Sequence, residues 1–121
     1  MNRVLAIDDS RSMRQMLAFI LEREGYQVDT EAEPSVALGL IDQNQYALII
    51  CDVNMPNMDG YQFVQEARKK NRSRYTPILM IAADSSPAQK ARAREAGATG
   101  WLAKPFNPDR FVVTVRKAIC Q

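Results

Sequence analysis

The sequence predicts an α/β domain with a doubly wound, parallel sheet of five strands and with five helices. Short apolar runs, such as residues 48–51, alternate along the chain with stretches in which apolar residues recur at helical spacing. Most of these runs are apolar throughout, which is typical of strands buried on both faces. Strands and helices that alternate in this way favour a parallel sheet with helices on both sides, and right-handed crossovers leave few topologies.

The five strands are predicted at apolar runs that end in turn-forming or charged residues. They cover residues 4–7, 26–30, 48–51, 77–83 and 99–103. The second run is more polar than the others, which we expect of a strand near the edge of the sheet. Because the chain contains no repeats, low-complexity tract or linker, we expect residues 1–121 to form one domain with no output domain.

The helix boundaries follow from residues that cap helices or open their first turn. The predicted starts are Ser10 or Asp9, Pro34, Asp59 or Gly60, Ser86-Pro87 and Asn107-Pro108. The clearest predicted ends are Gly25, Asn44 and Gly97.

Four of the helices carry an apolar stripe that we expect to face the core. The stripes are Met13, Met16, Leu17, Ile20 and Leu21 in the first helix, Val36, Ala37, Leu40 and Ile41 in the second, Phe63, Val64 and Ala67 in the third, and Phe111, Val112, Val115 and Ile119 in the fifth. The fourth helix offers mostly alanine, at Ala88, Ala91, Ala93 and Ala96. We therefore expect the fourth helix to be weakly anchored.

Composition narrows the function classes. The chain has 121 residues, 46% of them hydrophobic and 25% charged, which is ordinary for a soluble globular domain. Its 16 basic and 14 acidic residues give a net charge of +2, too small to indicate nucleic acid binding. No signal peptide or membrane span is evident. We expect a cytoplasmic protein in which Cys51 and Cys120 are reduced.

Three of the predicted strands end in charged residues. Asp8 and Asp9 follow the first strand, Asp52 ends the third and Lys104 ends the fifth. Taken alone, the acidic pair is better explained as a helix cap and Lys104 as a solvated lysine in a turn. Because parallel strands end at the same edge of a sheet, where doubly wound folds bind their ligands, the joint placement favours a functional site.

Three clustered carboxylates repel one another unless a cation lies among them. Ligands that are all oxygen, in a chain without histidine, favour Mg²⁺ over zinc. The formal charges of three carboxylates, Mg²⁺ and Lys104 sum to zero. A carboxylate in such a site can act as a nucleophile towards a phosphoryl group, whose oxygens the metal and the lysine neutralise.

At these residues the chain resembles a known family. Asp8-Asp9, Asp52 with the following VNMPNMDG, and Lys104-Pro105-Phe106 are similar to the signature of the receiver domains of two-component response regulators, above all the single-domain regulators of chemotaxis. The resemblance covers the whole chain. It implies a flavodoxin-like fold with strand order 2-1-3-4-5, and a cis peptide bond before Pro105.

The resemblance also implies roles for the site residues. Asp52 is expected to accept a phosphoryl group from a histidine kinase, and Lys104 to contact that group. Asp9 is expected to be the main acidic ligand of Mg²⁺, with Asp8 acting through water. Asn54 is expected to offer its backbone carbonyl to the metal.

One position departs from the family pattern. Where the family has a threonine or serine hydroxyl at the end of the fourth strand, this chain has Ala82. A methyl group cannot donate, and a missing charge-assisted hydrogen bond is worth about 1.5–3 kcal/mol. We expect a weakened switch that is still phosphorylated. The backbone amide of Ala83 remains available, whereas Ser85 is expected to lie too far along the loop.

The resemblance implies two protein partners. A histidine kinase, of the chemotaxis type, is expected to dock near the first helix, and a downstream protein to bind the face of the fourth helix, fifth strand and fifth helix. Trp101 lies on that face at an aromatic position that changes rotamer on activation in the family, although ordinary half-burial explains it equally well. Asn54 and Asp84 match positions that influence hydrolysis of the acyl phosphate.

The leading hypothesis is thus a phosphorylation switch without substrate turnover. The first alternative is a phosphate sink or adaptor, which Ala82 favours. The second is an aspartate-nucleophile phosphohydrolase, which is disfavoured because such enzymes carry Asp-x-Asp after the first strand. A dinucleotide site is disfavoured by the lack of a glycine-rich turn. The basic run at residues 68–74 is better explained as a solvated helix end than as a site for nucleic acid.

Overall fold

The computed structural model describes residues 2–120, and it contains five parallel strands and five α-helices in strict alternation. The strands are β1 (Arg3–Ile7), β2 (Gln27–Glu31), β3 (Leu48–Asp52), β4 (Ile78–Ala82) and β5 (Gly100–Ala103). The helices are α1 (Arg11–Arg23), α2 (Pro34–Gln43), α3 (Gly60–Arg68), α4 (Pro87–Ala96) and α5 (Pro108–Ile119). The strand order is β2-β1-β3-β4-β5, as predicted.

The core lies on both faces of the sheet. Helices α2, α3 and α4 pack on one face and α1 and α5 on the other, with Phe63 and Phe111 as the largest fully buried side chains on the respective faces. Successive residues of β3 point to opposite faces of the sheet. Ile49 packs in the cluster beneath α2, α3 and α4, and Ile50 in the cluster beneath α1 and α5. Within the described part of the chain, no helix has the length and apolarity needed to cross a membrane.

The predicted caps are confirmed at several helix starts. Ser10 accepts from the backbone N–H of Met13, and Ser86 accepts from that of Gln89. At α3, Asp59 and Gln62 form a reciprocal capping box, in which each side chain binds the other residue's backbone. These contacts are local, so their residue types and spacing were enough to predict them.

Two expected core residues are exposed instead. Met16 is 39% exposed and Val36 is 45% exposed. In α1 the fully buried residues are Leu17 and Leu21, so the core-facing sector of this helix is narrower than its apolar stripe. Both exposed residues lie at the margin of a stripe, where a helix that rests on a sheet turns away from it.

Helix α4 is weakly anchored by apolar contacts, as expected. Its buried residues are Ala93 and Ala96. The other two alanines that the sequence offered as apolar surface, Ala88 and Ala91, are exposed. Polar and aromatic contacts to Tyr61 of α3 supplement these alanines. The Tyr61 hydroxyl donates to the side chain of Gln89, and the guanidinium of Arg92 lies 4.2 Å from the centre of the Tyr61 ring.

Arg68 is not part of a solvated helix end, and that interpretation is wrong for this residue. Its guanidinium donates to the backbone carbonyls of Gly97 at 2.9 Å, Ser73 at 2.8 Å and Thr76 at 2.6 Å. Arg68 therefore ties the end of α3 to the connection that precedes β4 and to the end of α4. The fork of five donors on a guanidinium makes such multiple bonding possible.

Candidate functional site

The carboxyl edge of the sheet brings three charged side chains together. Strands β1 and β3 are paired with Ile7 opposite Cys51, so the next residues, Asp8 and Asp52, are neighbours. Lys104 follows β5, and its long side chain reaches across the end of β4. Its Nζ lies 3.2 Å from Oδ2 of Asp8 and 3.2 Å from Oδ1 of Asp52.

The two acids that contact Lys104 are almost completely shielded from solvent. Asp8 is 0% exposed and Asp52 is 4% exposed, whereas Asp9 is exposed. Oδ1 of Asp8 accepts from the backbone N–H of Ser10 at 2.9 Å. The donors that hold Asp8 in place thus come from the start of α1 and from Lys104.

Arg14 supports the same region, although it was not among the predicted site residues. Its Nη1 donates to the backbone carbonyl of Asp8 at 2.8 Å. No sequence signal marked this contact, because a long arginine side chain can fold back over the end of its own helix. Arg14 thereby fixes the loop between β1 and α1.

The acidic residues are arranged to hold a metal ion. One carboxylate oxygen from each of Asp8, Asp9 and Asp52 lies within 4.8 Å of the other two. All three donors are oxygen, and the contacting Lys104 offsets one of their three negative charges. The donor set therefore fits Mg²⁺, which binds carboxylate oxygens and keeps several waters.

The electrostatics of the site shift two pKa values. Burial and the neighbouring Asp8 charge raise the pKa of Asp52, and Lys104 counteracts them only in part. Burial lowers the pKa of Lys104, but Asp52 and Asp8 outweigh it, so the net shift is upward. Lys104 consequently stays charged. The ionised form of Asp52 is disfavoured by burial and by the Asp8 charge, and a bound cation would offset both effects.

Asp52 is fixed from behind by the close approach of α3. A Cβ added at Gly60 would lie 2.3 Å from the backbone oxygen of Asp52, so this position admits no side chain. The Gly60 N–H donates to the carbonyl of Val53 at 2.8 Å. In the loop between Val53 and Gly60, Asn57 adopts φ 73°, a left-handed conformation that asparagine tolerates. Asn54 lies exposed on this loop.

The end of β4 presents no hydroxyl to the site. Ala82 is buried, and its carbonyl accepts from the Lys104 N–H at 2.8 Å. Ala83 follows and is exposed. The hydroxyl of Ser85 is engaged with Trp101, whose indole Nε1–H donates to it at 2.9 Å. This contact was not expected from the sequence. The Lys104-Pro105 peptide bond is cis, as the resemblance implied.

The fold and the site define a class of protein, a doubly wound domain with an acidic cluster and a lysine at one sheet edge. The sequence profile of the response regulator receiver domain matches residues 4–116. The chain therefore belongs to the receiver domain family of two-component response regulators. Members of this family act as phosphorylation-dependent switches.

Two similar proteins cover nearly the whole chain but differ in length. The solved structure of chemotaxis protein CheY4 from Vibrio cholerae is 43% identical, with a TM-score of 0.94 and 98% coverage of both chains. The transcriptional regulatory protein SrrA from Staphylococcus aureus is 33% identical over 95% of this chain. That alignment covers 46% of SrrA, so the chain spans about half the length of this relative.

A third neighbour shares the fold at lower identity. The receiver domain of the sensor histidine kinase PA1611 from Pseudomonas aeruginosa is 24% identical, with a TM-score of 0.92. The match covers 99% of this chain and 98% of the PA1611 receiver domain chain. Its structure has a magnesium ion coordinated in the active-site cleft. At this identity the likeness shows the shared fold alone.

Proposed function

We propose that this chain is a phosphorylation switch in which Asp52 is the phosphoryl acceptor. The observation that carries the proposal is the position of its carboxylate. Oδ1 is held 3.2 Å from Lys104 Nζ, while Oδ2 has no hydrogen-bond donor among residues 2–120. One oxygen is therefore fixed and the other is available as a nucleophile.

The group transfer follows from these positions. The free oxygen of Asp52 attacks the phosphorus of a phosphohistidine on a partner kinase, and an acyl phosphate forms. The phosphorus–nitrogen bond breaks, and its electron pair stays on the imidazole nitrogen. Lys104 then contacts a phosphoryl oxygen, and the backbone N–H of Ala83 is a second donor.

A magnesium ion fits the same site. Asp9, Asp8, Asp52 and the backbone carbonyl of Asn54 are the residues that would hold it. When bound, Mg²⁺ neutralises charge on the phosphoryl oxygens. The three clustered carboxylate oxygens support this assignment.

The partners and setting are part of the proposal. A likeness to a chemotaxis protein, at 43% identity over 98% of this chain, supports a role in chemotaxis-type signalling, which we place in the cytoplasm. A histidine kinase donates the phosphoryl group, and a downstream protein binds the face formed by α4, β5 and α5, around Trp101. Neither nucleic acid nor a membrane is needed for this function. Membership of the receiver family argues against the phosphohydrolase alternative.

A second candidate function is a phosphate sink or adaptor without a full switch. The observation that favours it is the buried methyl group of Ala82 at the end of β4. The two functions share phosphorylation of Asp52 and differ in its effect on partner binding. A switch changes its affinity for the downstream partner on phosphorylation, whereas a sink does not.

Intact-mass measurement tests the proposal. We expect the wild type, incubated with acetyl phosphate and Mg²⁺, to gain one phosphoryl mass that chelation of Mg²⁺ prevents. Asp52→Asn should gain none, whereas the control Asp109→Asn, at an exposed aspartate of α5, should gain it as the wild type does. No gain by the wild type, or an equal gain by Asp52→Asn, would refute phosphorylation at Asp52.

A further inference from the structure

A single side-chain contact links β5 to the connection between β4 and α4. The indole Nε1–H of Trp101 donates to Oγ of Ser85 at 2.9 Å, and both residues are half-buried. The two residues are 16 positions apart, so the bond joins separate elements. Among the hydrogen bonds of residues 2–120, it alone ties a side chain of residues 83–86 to the sheet.

The other hydrogen bonds of this connection are local. Oδ1 of Asp84 accepts from the Ser86 N–H at 3.1 Å, and Oγ of Ser86 accepts from the Gln89 N–H at 3.3 Å. They shape the loop and cap α4 but do not hold either to the sheet. Helix α4 buries two alanines and contacts Tyr61 of α3, so Trp101 is the residue of the sheet whose side chain bonds this loop directly.

We propose that Ser85 is a positioning residue that connects Trp101 to the phosphorylation site. Strand β4 pairs with β3 so that Ile81 lies opposite Asp52, which places the N–H of Ala83 just beyond the acceptor. Ser85 is two residues further on. This inference rests on the proposed function, and it gives the chain a coupling route that does not need a hydroxyl at Ala82.

The direction of the effect follows from linkage. A phosphoryl group that accepts from the Ala83 N–H draws this backbone towards Asp52 and Ser85 away from Trp101. The Ser85–Trp101 bond therefore stabilises the unphosphorylated conformation, and breaking it favours the other. A neutral hydrogen bond of this kind shifts a two-state equilibrium by about 2- to 12-fold.

The first experiment uses the free protein and its one tryptophan. We expect Ser85→Ala to increase acrylamide quenching of Trp101 and to shift the indole N–H resonance. Ser85→Thr keeps a hydroxyl and should resemble the wild type. Ser35→Ala, an exposed serine of α2, is the matched control and should change neither signal. If Ser85→Ala leaves both signals unchanged, Ser85 does not position Trp101.

The second experiment adds Mg²⁺ and beryllofluoride, a stand-in for the phosphoryl group, and follows binding by fluorine NMR. We expect Ser85→Ala to bind beryllofluoride about 2- to 12-fold more tightly than the wild type does. Acrylamide quenching of Trp101 should change less on this addition in Ser85→Ala than in the wild type. Equal affinity and an equal response would overturn the coupling. Failure of the wild type to bind would instead refute the proposed function, while the free-protein experiment still decides whether Ser85 holds Trp101.

Discussion

Two polar clusters lie at opposite ends of the same central strands, and they differ in how well their charges are matched. The first is formed where β1 and β3 begin. Arg3 donates to Asp29 at 2.8 Å and to Asn44 at 2.7 Å, and the Tyr46 hydroxyl donates to Asp29 at 2.7 Å. Among the described residues, Nε of Arg3 is the one buried side-chain nitrogen or oxygen without a hydrogen-bond partner.

The second cluster, at the carboxyl edge, has more negative charge than its lysine can balance. Asp8 and Asp52 share Lys104 at 3.2 Å each, and Asp9 adds a third carboxylate. A matched cluster stabilises a fold, whereas a buried surplus of one charge sign destabilises it and marks a ligand site. Substitutions in the two clusters should therefore change the free energy of unfolding in opposite directions.

The largest effect is expected for Arg3→Ala in the matched cluster. It leaves the half-buried Asp29 without its cation and Asn44 without its donor, and should lower the free energy of unfolding by about 2–3 kcal/mol. Urea denaturation at pH 7 measures this loss. Arg11→Ala, on an exposed arginine at the start of α1, should change stability by less than about 0.5 kcal/mol. Equal effects would mean that the matched cluster is not stabilising.

Tyr46→Phe should remove about 1.5 kcal/mol, because its hydroxyl donates to a carboxylate. Burial and the Asp29 carboxylate raise the pKa of Tyr46 above its ordinary value. The folded state thus binds this proton more tightly than the unfolded state does. The stabilisation is fully present below about pH 10 and is lost as the pH rises further. The stability gap between wild type and Tyr46→Phe should accordingly narrow in alkaline urea titrations.

In the unbalanced cluster, Asp52→Asn should raise the free energy of unfolding by about 1 kcal/mol at pH 7 without Mg²⁺. The pKa of Asp52 is raised in the folded state, so folding favours the protonated acid. As the pH falls through this pKa, the free energy of unfolding of the wild type therefore rises relative to that of Asp52→Asn. Thermal unfolding from pH 7 to pH 4 measures the closing gap. Destabilisation at pH 7 would contradict a surplus of negative charge.

The smallest expected effect is that of Mg²⁺ on the wild type. At a free concentration equal to Kd, binding to the folded state adds about 0.4 kcal/mol. Arg3→Ala should show the same increment, because its substitution is at the other end of the strands. Asp52→Asn should show less, since it loses one carboxylate ligand. An equal increment in Asp52→Asn would place the metal elsewhere, and calorimetric titration checks the affinities directly.

The sequence predicted the fold and the assembly of the site because both depend on regular geometry. Asp52 and Lys104 are 52 residues apart, yet a parallel sheet with the chain running as predicted places both at one edge. Capping residues were equally predictable, since their partners lie three residues away. Periodicity was less reliable at the margins of a helical stripe, as Met16 and Val36 show.

Long polar side chains gave no comparable signal. The partners of Arg68 include Gly97, which is 29 residues away, and Arg3 reaches Asn44 across 41 residues. Such contacts depend on loop positions and rotamers that no short pattern encodes. The Trp101–Ser85 bond also joins residues from different elements, 16 positions apart, so no short pattern predicted it.

The two cysteines differ in burial, and the buried one allows the opening of β3 to be measured by thiol modification. Cys51 precedes Asp52 and is 0% exposed, whereas Cys120 after α5 is exposed. A thiol reagent should thus modify one site in the native protein and two after denaturation. The rate at which Cys51 is modified in the native protein measures how often the centre of the sheet opens. A fluorophore at Cys120 could be attached without disturbing the interior.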